Sequence, residues 1–420
     1  MLRKFLAVIL IAAARLFEGS AFAQPVPRVN CTMPPQLALD LAPLNDGPLT
    51  LAAVSCQGGK APTSILTPPI VSPDADSIAF HEYPGSLYMA RRHDGERWTV
   101  HTDILGVGLR FGGVRSVAAF TWASNSQFVW TATQERVAPS NFATGAMQPV
   151  KAGPGGGIER LPRIDHQAGT LDALLWAGGD GLAVAQFGTR GGLYRPEFGN
   201  PSPTFAFVDA QRGAVLDSLP FAGIERLRNR KGSAYARVRD AATTVLKNGK
   251  VRALLNVGEW VSWTQDEAPN TVPDPYPDEL HNRMTLSPDG SRVLVARLLR
   301  TVGTICVRGR GCTLGKPVEG VLAALHDVAT GQPVWTIRTT ATGDPEYPTP
   351  AISPDGRHAL IGLFPTDRAY FALVSMERGE ILQTIPAPGG AYAIGFARDG
   401  RTVWAHAYGV TALYDVNPGK

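Results

Sequence analysis

The chain has 420 residues, a formal net charge of +4 and 18% charged residues. Its basic residues are dispersed, which excludes the clustered basic surface of a nucleic-acid-binding protein. After the first two dozen residues no apolar run approaches the ~18 residues that a membrane-spanning helix needs.

The chain opens with Arg3 and Lys4, the apolar stretch "FLAVILIAAA", and "EGSAFA" ending in Ala21-Phe22-Ala23. A positive start, a short apolar run and a small-x-small site together read as a cleavable signal peptide over residues 1–23. Arg15 interrupts the run, which argues against a membrane anchor. The expectation is an exported, soluble protein starting near Gln24, in the periplasm, with full secretion as the alternative. Removing the signal leaves a net charge of only +2.

Residues 24–63 form an N-terminal segment. It holds two strand-like runs, "QLALDL" (36–41) and "LTLAAVSC" (49–56). It also carries two of the four cysteines, Cys31 and Cys56; the others are Cys306 and Cys312. An even count in an exported chain favours disulfides. Cys306 and Cys312 bracket "VRGRG", a small closed loop, and Cys31 with Cys56 could tie down the N-terminal segment. Neither spacing suits a zinc site, and no metal is expected.

From residue 64 the chain is repetitive. There are 45 glycines and 34 prolines, and short apolar runs are separated by Asp-Gly, Asn-Gly and Ser-Pro turns, which reads as all-β. Aligned on the turn after the first strand of each unit, the repeats fall at Asp74, Asn125, Asp180, Lys231, Asp289, Asp355 and Asp399. Asp or Asn accepts backbone hydrogen bonds inside such a turn, and Gly supplies the positive φ. These aspartates are read as turn makers, not catalysts. A second strand-turn-strand phrase follows in most units: "SLYMARRHDGERWTV" (86–100), "TFAFVDAQRGAVLDSL" (204–219), "ATTVLKNGKVRALLNV" (242–257), "VLAALHDVATGQPVWTI" (321–337) and "YFALVSMERGEILQTI" (370–385). Four strands per unit of this length predict a seven-bladed β-propeller of antiparallel blades over 64–420. The last unit has only three strands, so the N-terminal segment is expected to supply the fourth and close the ring.

The Ser-Pro-Asp-Gly turns resemble the WD-repeat-like and TolB-type propeller repeats, and the Asp-x-x-x-Gly phrase resembles the YVTN-type bacterial propellers. The resemblance covers roughly residues 64–416 and implies the fold rather than an activity. No Trp-Asp dipeptide occurs, so the signature of true WD repeats is absent. YVTN-like propellers include the large subunits of periplasmic amine dehydrogenases, whose quinone cofactor sits in a small partner subunit. The resemblance therefore implies, as the alternative function, a propeller enzyme or the large subunit of such a complex.

Long insertions on a rigid scaffold are where binding tends to reside. Four are expected on one face of blades two to five: 150–170, 188–203, 257–281 and 299–320. Their arginines, Arg160, Arg163, Arg190, Arg195, Arg308 and Arg310, offer planar donors suited to carboxylates. Tyr194, Trp260, Trp263 and Tyr276 suit interface anchors. His166 and His281 lie beside acidic residues on the same insertions. The expectation is a binding face for a periplasmic partner protein or a small acidic ligand. The alternative is solvated loops, with Trp260 and Trp263 packed in a blade's outer strand.

Catalytic signatures are missing. No Gly-x-Ser-x-Gly elbow, His-Glu-x-x-His zinc motif or Cys-x-x-Cys-His haem motif occurs. "GPGGG" (153–157) lacks the Lys-Ser/Thr of a phosphate loop. No catalytic residue and no cofactor is expected.

Overall fold

The computed structural model describes residues 28–30, 41–56, 65–72, 77–82, 86–93, 97–104, 115–122, 129–138, 141–152, 158–161, 171–177, 182–187, 204–209, 214–220, 240–256, 258–276, 282–297, 305–307, 311–313, 318–341, 349–363, 370–386, 393–397, 399–407 and 410–417. All regular structure among them is β. Strands β1 (Arg28–Asn30) and β2 (Leu49–Cys56) precede the repeats. The first sheet is β3 (Ile65–Val71), β4 (Ser77–Glu82), β5 (Ser86–His93) and β6 (Arg97–Ile104). The second is β7 (Arg115–Trp122), β8 (Val129–Ala138), β9 (Asn141–Ala152) and β10 (Ile158–Arg160). The third is β11 (Leu171–Ala177), β12 (Leu182–Phe187), β13 (Thr204–Asp209) and β14 (Ala214–Pro220).

The fourth sheet is β15 (Asp240–Val245), β16 (Val251–Asn256), β17 (Glu259–Thr264) and β18 (Asn270–Pro273). The fifth is β19 (Asn282–Leu286), β20 (Arg292–Arg297), β23 (Val318–Asp327) and β24 (Pro333–Ala341), with a separate hairpin, β21 (Ile305–Val307) and β22 (Gly311–Thr313), inserted between its second and third strands. The sixth is β25 (Ala351–Ile352), β26 (His358–Leu363), β27 (Tyr370–Ser375) and β28 (Ile381–Pro386). In the last, β29 (Ala393–Phe396), β30 (Thr402–Ala407) and β31 (Val410–Val416) are joined by β2 and then β1. β2 pairs antiparallel with β31, and β1 pairs parallel with β2.

Sheets four, five and six each pack against a neighbouring sheet on both faces. Phe205, Phe207, Val261 and Trp263 fill the space between sheets three and four. Trp260, Met284, Val293 and Val295 fill it between four and five. Leu294, Leu325, Ile361 and Val374 fill it between five and six, and Leu49, Phe371, Ile385, Val403 and Tyr414 between six and the last. Sheets buried on both faces explain why the strand centres are continuous apolar runs, as in β20 "RVLVAR" and β26 "HALIGL". Burying each such large side chain contributes about 1.5–3 kcal/mol.

The repeated turn has a defined chemistry. In residues 287–292 the Ser287 hydroxyl donates to Asp289 Oδ1 at 2.6 Å, and that same oxygen accepts from the Ser291 N–H at 3.0 Å. Ser287 Oγ accepts from the Arg292 N–H at 2.9 Å. Ser353, Asp355, Arg357 and His358 repeat this pattern at 2.5, 3.0 and 2.9 Å. Gly290 and Gly356 take φ of 71° and 72°, which only glycine adopts without strain. The proline also has a role across sheets. A Cβ on Gly356 would lie 3.8 Å from Pro288 of the preceding turn, and one on Gly400 would lie 3.7 Å from Pro354. The turns nest head to tail, so the phrase is repeated because each copy fits the next.

The second turns nest as well. A Cβ on Gly331 would touch Val272 of β18, and one on Gly379 would touch Trp335 of β24, each the third residue of the preceding sheet's last strand. The indole N–H of Trp335 donates to the Met376 carbonyl at 2.8 Å. In the last sheet this turn is split between the two ends of the chain. Asn417 N–H donates to the Pro48 carbonyl at 2.7 Å, as Asp327 N–H does to Gln332 and Ser375 N–H to Glu380. Gly47 then faces Gln383, the third residue of β28.

Three expectations change. The phrase "ATTVLKNGKVRALLNV" is the first hairpin of sheet four, not its second, because β15 and β16 are the first two strands and turn at Asn248-Gly249. Lys231 lies outside the described residues. The segment 257–281 contains β17 and β18 and is not one long insertion. The segment 150–170 likewise contains β10, paired with β9 through Ile158 and Ala152. In the last two cases an edge strand, β18 with its proline or β10 with its charges, reads as loop, and hydrogen bonding to the neighbouring strand decides otherwise.

Candidate binding face

In a four-stranded antiparallel sheet, the connections from strand two to three and from one sheet to the next leave the same end. The described strands place residues 188–203 between β12 and β13, and 298–317 between β20 and β23, both second-to-third connections. Arg163 and His166 follow β10, and His281 follows β18, in sheet-to-sheet connections. Arg163, His166, Arg190, Tyr194, Arg195, His281, Arg308 and Arg310 themselves lie outside the described residues.

Arg160 ends β10 and is exposed, beside an ion pair of 3.2 Å between Lys151 and Glu159. Trp260 and Trp263 are not on a loop. They sit in β17, three residues apart, and so face opposite sides of the sheet. Trp263 packs on Phe207 at 4.3 Å between ring centroids, and Trp260 meets His326 edge-on at 5.2 Å. Both are buried, at 2% and 0% exposure, which removes them from any surface and makes them core anchors.

Tyr276 belongs to a polar cluster between sheets four and five. Its hydroxyl bonds His326 Nε2 at 2.9 Å, and Arg297 lies over its ring at 4.0 Å from the centroid. His326 Nδ1 bonds the Gly331 carbonyl at 2.9 Å. That bond requires a proton on Nδ1, so in neutral His326 the Nε2 accepts a hydrogen bond from the Tyr276 hydroxyl. Asp274 Oδ1 accepts from the Tyr276 N–H at 2.9 Å, and its Oδ2 from Asn256 Nδ2 at 3.2 Å. Burial pushes the Tyr276 phenol up, partly countered by Arg297. Burial pushes the His326 imidazole down, with Arg297 acting in the same direction against the Gly331 hydrogen bond. The indole N–H of Trp260 is buried here with no hydrogen-bond partner among the described residues. Sequence reasoning found Tyr276 but not Asn256, Asp274, Arg297 or His326. They come from three different strands and a connection, and no local pattern joins them.

Cys306 and Cys312 are directly opposite in the β21–β22 register. Cys56 ends β2. Cys31 lies outside the described residues. No group of three His, Cys, Asp or Glu side chains converges among the described residues.

No family model matches the chain, and no curated protein matches it. The fold does have solved relatives. A chain of a mitotic checkpoint complex crystal structure aligns over 94% of this chain and 98% of its own, with a TM-score of 0.50 and 13% identity. A chain of Kuenenia stuttgartiensis hydrazine synthase aligns over 85% of this chain and 97% of its own, with a TM-score of 0.48 and 13% identity. The first of these matches, with the four-stranded antiparallel sheets, supports a β-propeller, WD40-like fold.

Proposed function

We propose that the chain is an exported, non-catalytic β-propeller binding module. Its long-loop end on blades two to five takes a periplasmic partner protein or an acidic ligand. The observation that carries this reading is strand parity. The insertions at 188–203 and 298–317 occupy the same connection in sheets three and five, and with the links after β10 and β18 they leave one end of the scaffold. The segments that leave from that end carry, in sequence, Arg160, Arg163, His166, Arg190, Tyr194, Arg195, His281, Arg308 and Arg310, a set rich in carboxylate-binding guanidinium groups. Tyr276 follows β18 at the start of one of these links, and the two tryptophans of β17 are core residues of the scaffold beneath.

The module is a ring of seven blades. This is supported by the order in which first strands neighbour one another: β3, β7, β11, β15, β19, β25, β29, and β29 again beside β3. β2 supplies the last blade's outer strand. The amino-terminal pattern supports export, and the opposed Cys306 and Cys312 support a disulfide across the inserted hairpin.

The test is crosslinking and affinity capture of the tagged protein from its own periplasm, for wild type and for Arg308→Glu/Arg310→Glu. A single stoichiometric partner lost in the variant, with thermal stability retained, supports the reading. A partner retained by that variant and by a variant shortened at 188–203 overturns it.

A further inference from the structure

On the opposite end, among the first turns, a cavity of about 380 Å³ opens between sheet six and the last sheet. That lies within the ~300–1,000 Å³ range of small-molecule sites. Its walls divide by chemistry. Leu373, Leu382, Phe396 and Val416 form an apolar wall, and Gly47 and Pro48 of the N-terminal strap close one side. The rest is the two first turns, with Ser353, Asp355, Arg357 and His358 from one and Gly400 and Arg401 from the other.

Charge at this rim is unbalanced. Asp355 is the one acid in the lining, and its carboxylate is already engaged by the Ser353 hydroxyl and the Arg357 N–H. It sits only 4.0 Å from Arg357 Nε, at long range for an ion pair. The Arg401 guanidinium has no acidic partner among the described residues. Its backbone is held, through Asp399 Oδ1 at 2.8 Å and the Val416 N–H at 2.8 Å, so the side chain starts from a defined place. At the boundary between sheets four and five the residue in the register position of His358 is Arg252 of β16, and it is consumed internally. Arg252 donates to Thr264 Oγ1 at 3.0 Å and to the Gly290 carbonyl at 3.1 Å, filling the space against the turn glycine. At the six-to-last boundary the shorter His358 stands in the place of Arg252, and a cavity remains there that Arg401 of the last sheet also lines.

We propose that this inter-sheet cavity binds a small organic carboxylate with an apolar body, its carboxylate on Arg401 and its body against Leu373, Phe396 and Val416. His358 adds a second donor when its ring N–H faces the cavity. The site is separate from the long-loop end, and its occupancy does not depend on the partner there.

The probes are 4-phenylbutyrate and decanoate, with 4-phenylbutanamide as the neutral control, measured by isothermal titration and ligand-observed NMR on the full mature chain. Both carboxylates are expected to bind, and the amide at least about tenfold more weakly, as loss of a charge-assisted hydrogen bond implies. Arg401→Gln is expected to weaken the carboxylates by a similar factor and leave the amide unchanged. Val416→Trp, which fills the cavity, is expected to abolish both. Thermal melts separate loss of site from loss of fold, and a second arginine variant, Arg401→Lys, is expected to recover part of the affinity. No binding of either carboxylate at millimolar concentration overturns the proposal. So does equal binding of acid and amide, or binding indifferent to Arg401→Gln.

Discussion

The Gln383 carboxamide holds both backbone groups of Leu49: Oε1 accepts from the Leu49 N–H at 2.8 Å, and Nε2 donates to the Leu49 carbonyl at 3.0 Å. Nε2 also donates to the Asn45 carbonyl at 3.0 Å, while Asn45 in turn bonds the backbone at Leu382 and Thr384. One buried side chain from sheet six thus pins the segment that enters the last sheet as β2. Gln383→Leu keeps the size and removes every partner. Each orphaned backbone group costs about 1–3 kcal/mol. The expected outcome is a lowered urea midpoint and faster hydrogen exchange at residues 45–50, with the rest of the chain less affected.

Gly47→Ala probes the same junction sterically. A Cβ there would lie 2.7 Å from Gln383 Cδ, closer than real contacts allow. Overpacking of this kind costs about 1–3 kcal/mol. Gly249→Ala is the control: its φ of 81° carries backbone strain, but nothing lies within 4 Å of its Cβ. If Gly47→Ala melts no lower than Gly249→Ala, the strap is not seated as described.

Trp263→Ala and Trp260→Ala are expected to act through stability. Each leaves a large hole between sheets, at a cost of about 3–5 kcal/mol. Any loss of partner binding should therefore track the unfolded fraction and vanish at low temperature. A binding defect in a fully folded Trp263→Ala protein would contradict its role as a core residue.

His326 makes a pH prediction. Its folded-state affinity for a proton is lowered, by burial first, below the ordinary value of 6.5. Its contribution to stability is therefore complete above pH 6.5 and is lost as pH falls through the folded-state value, because the unfolded chain takes up a proton that the native chain refuses. Denaturant melts from pH 7.5 to 5 should show falling stability, with a shallower slope in His326→Gln. Equal slopes would mean that the His326 imidazole is not buried in its neutral form between sheets four and five.

Asp355 and Asp289 respond in the acid range. Burial raises each carboxyl, but the serine hydroxyl and backbone N–H bonds outweigh it, so both sit below the usual value of 3.8. Their stabilisation is full above that value and is lost as pH falls beneath it. Asp355→Asn should flatten the melt-versus-pH curve between pH 4 and 2 and lower stability at neutral pH. Unchanged acid sensitivity would remove the carboxylate from the turn's stabilisation.

The sequence by itself determined the all-β class, the repeat and the chemistry of its turns, because those depend on neighbours a few residues apart. Ser353, Asp355 and Gly356 close a turn from within, and their spacing is visible in the chain. It also indicated that an N-terminal strand completes the last sheet, from a count of three strands where four were needed. Tertiary structure alone decided what lies across sheets. Trp260 and Trp263 read as interface anchors until β17 pairs with both β16 and β18 and buries them. The phrase around Asn248-Gly249 fits either hairpin of a blade, and only pairing assigns it to the first. The Asn256–Asp274–Tyr276–His326 cluster and the cavity at Arg401 join residues far apart in the chain. Alternation along a strand shows which residues share a face, but not which neighbouring sheet that face will meet.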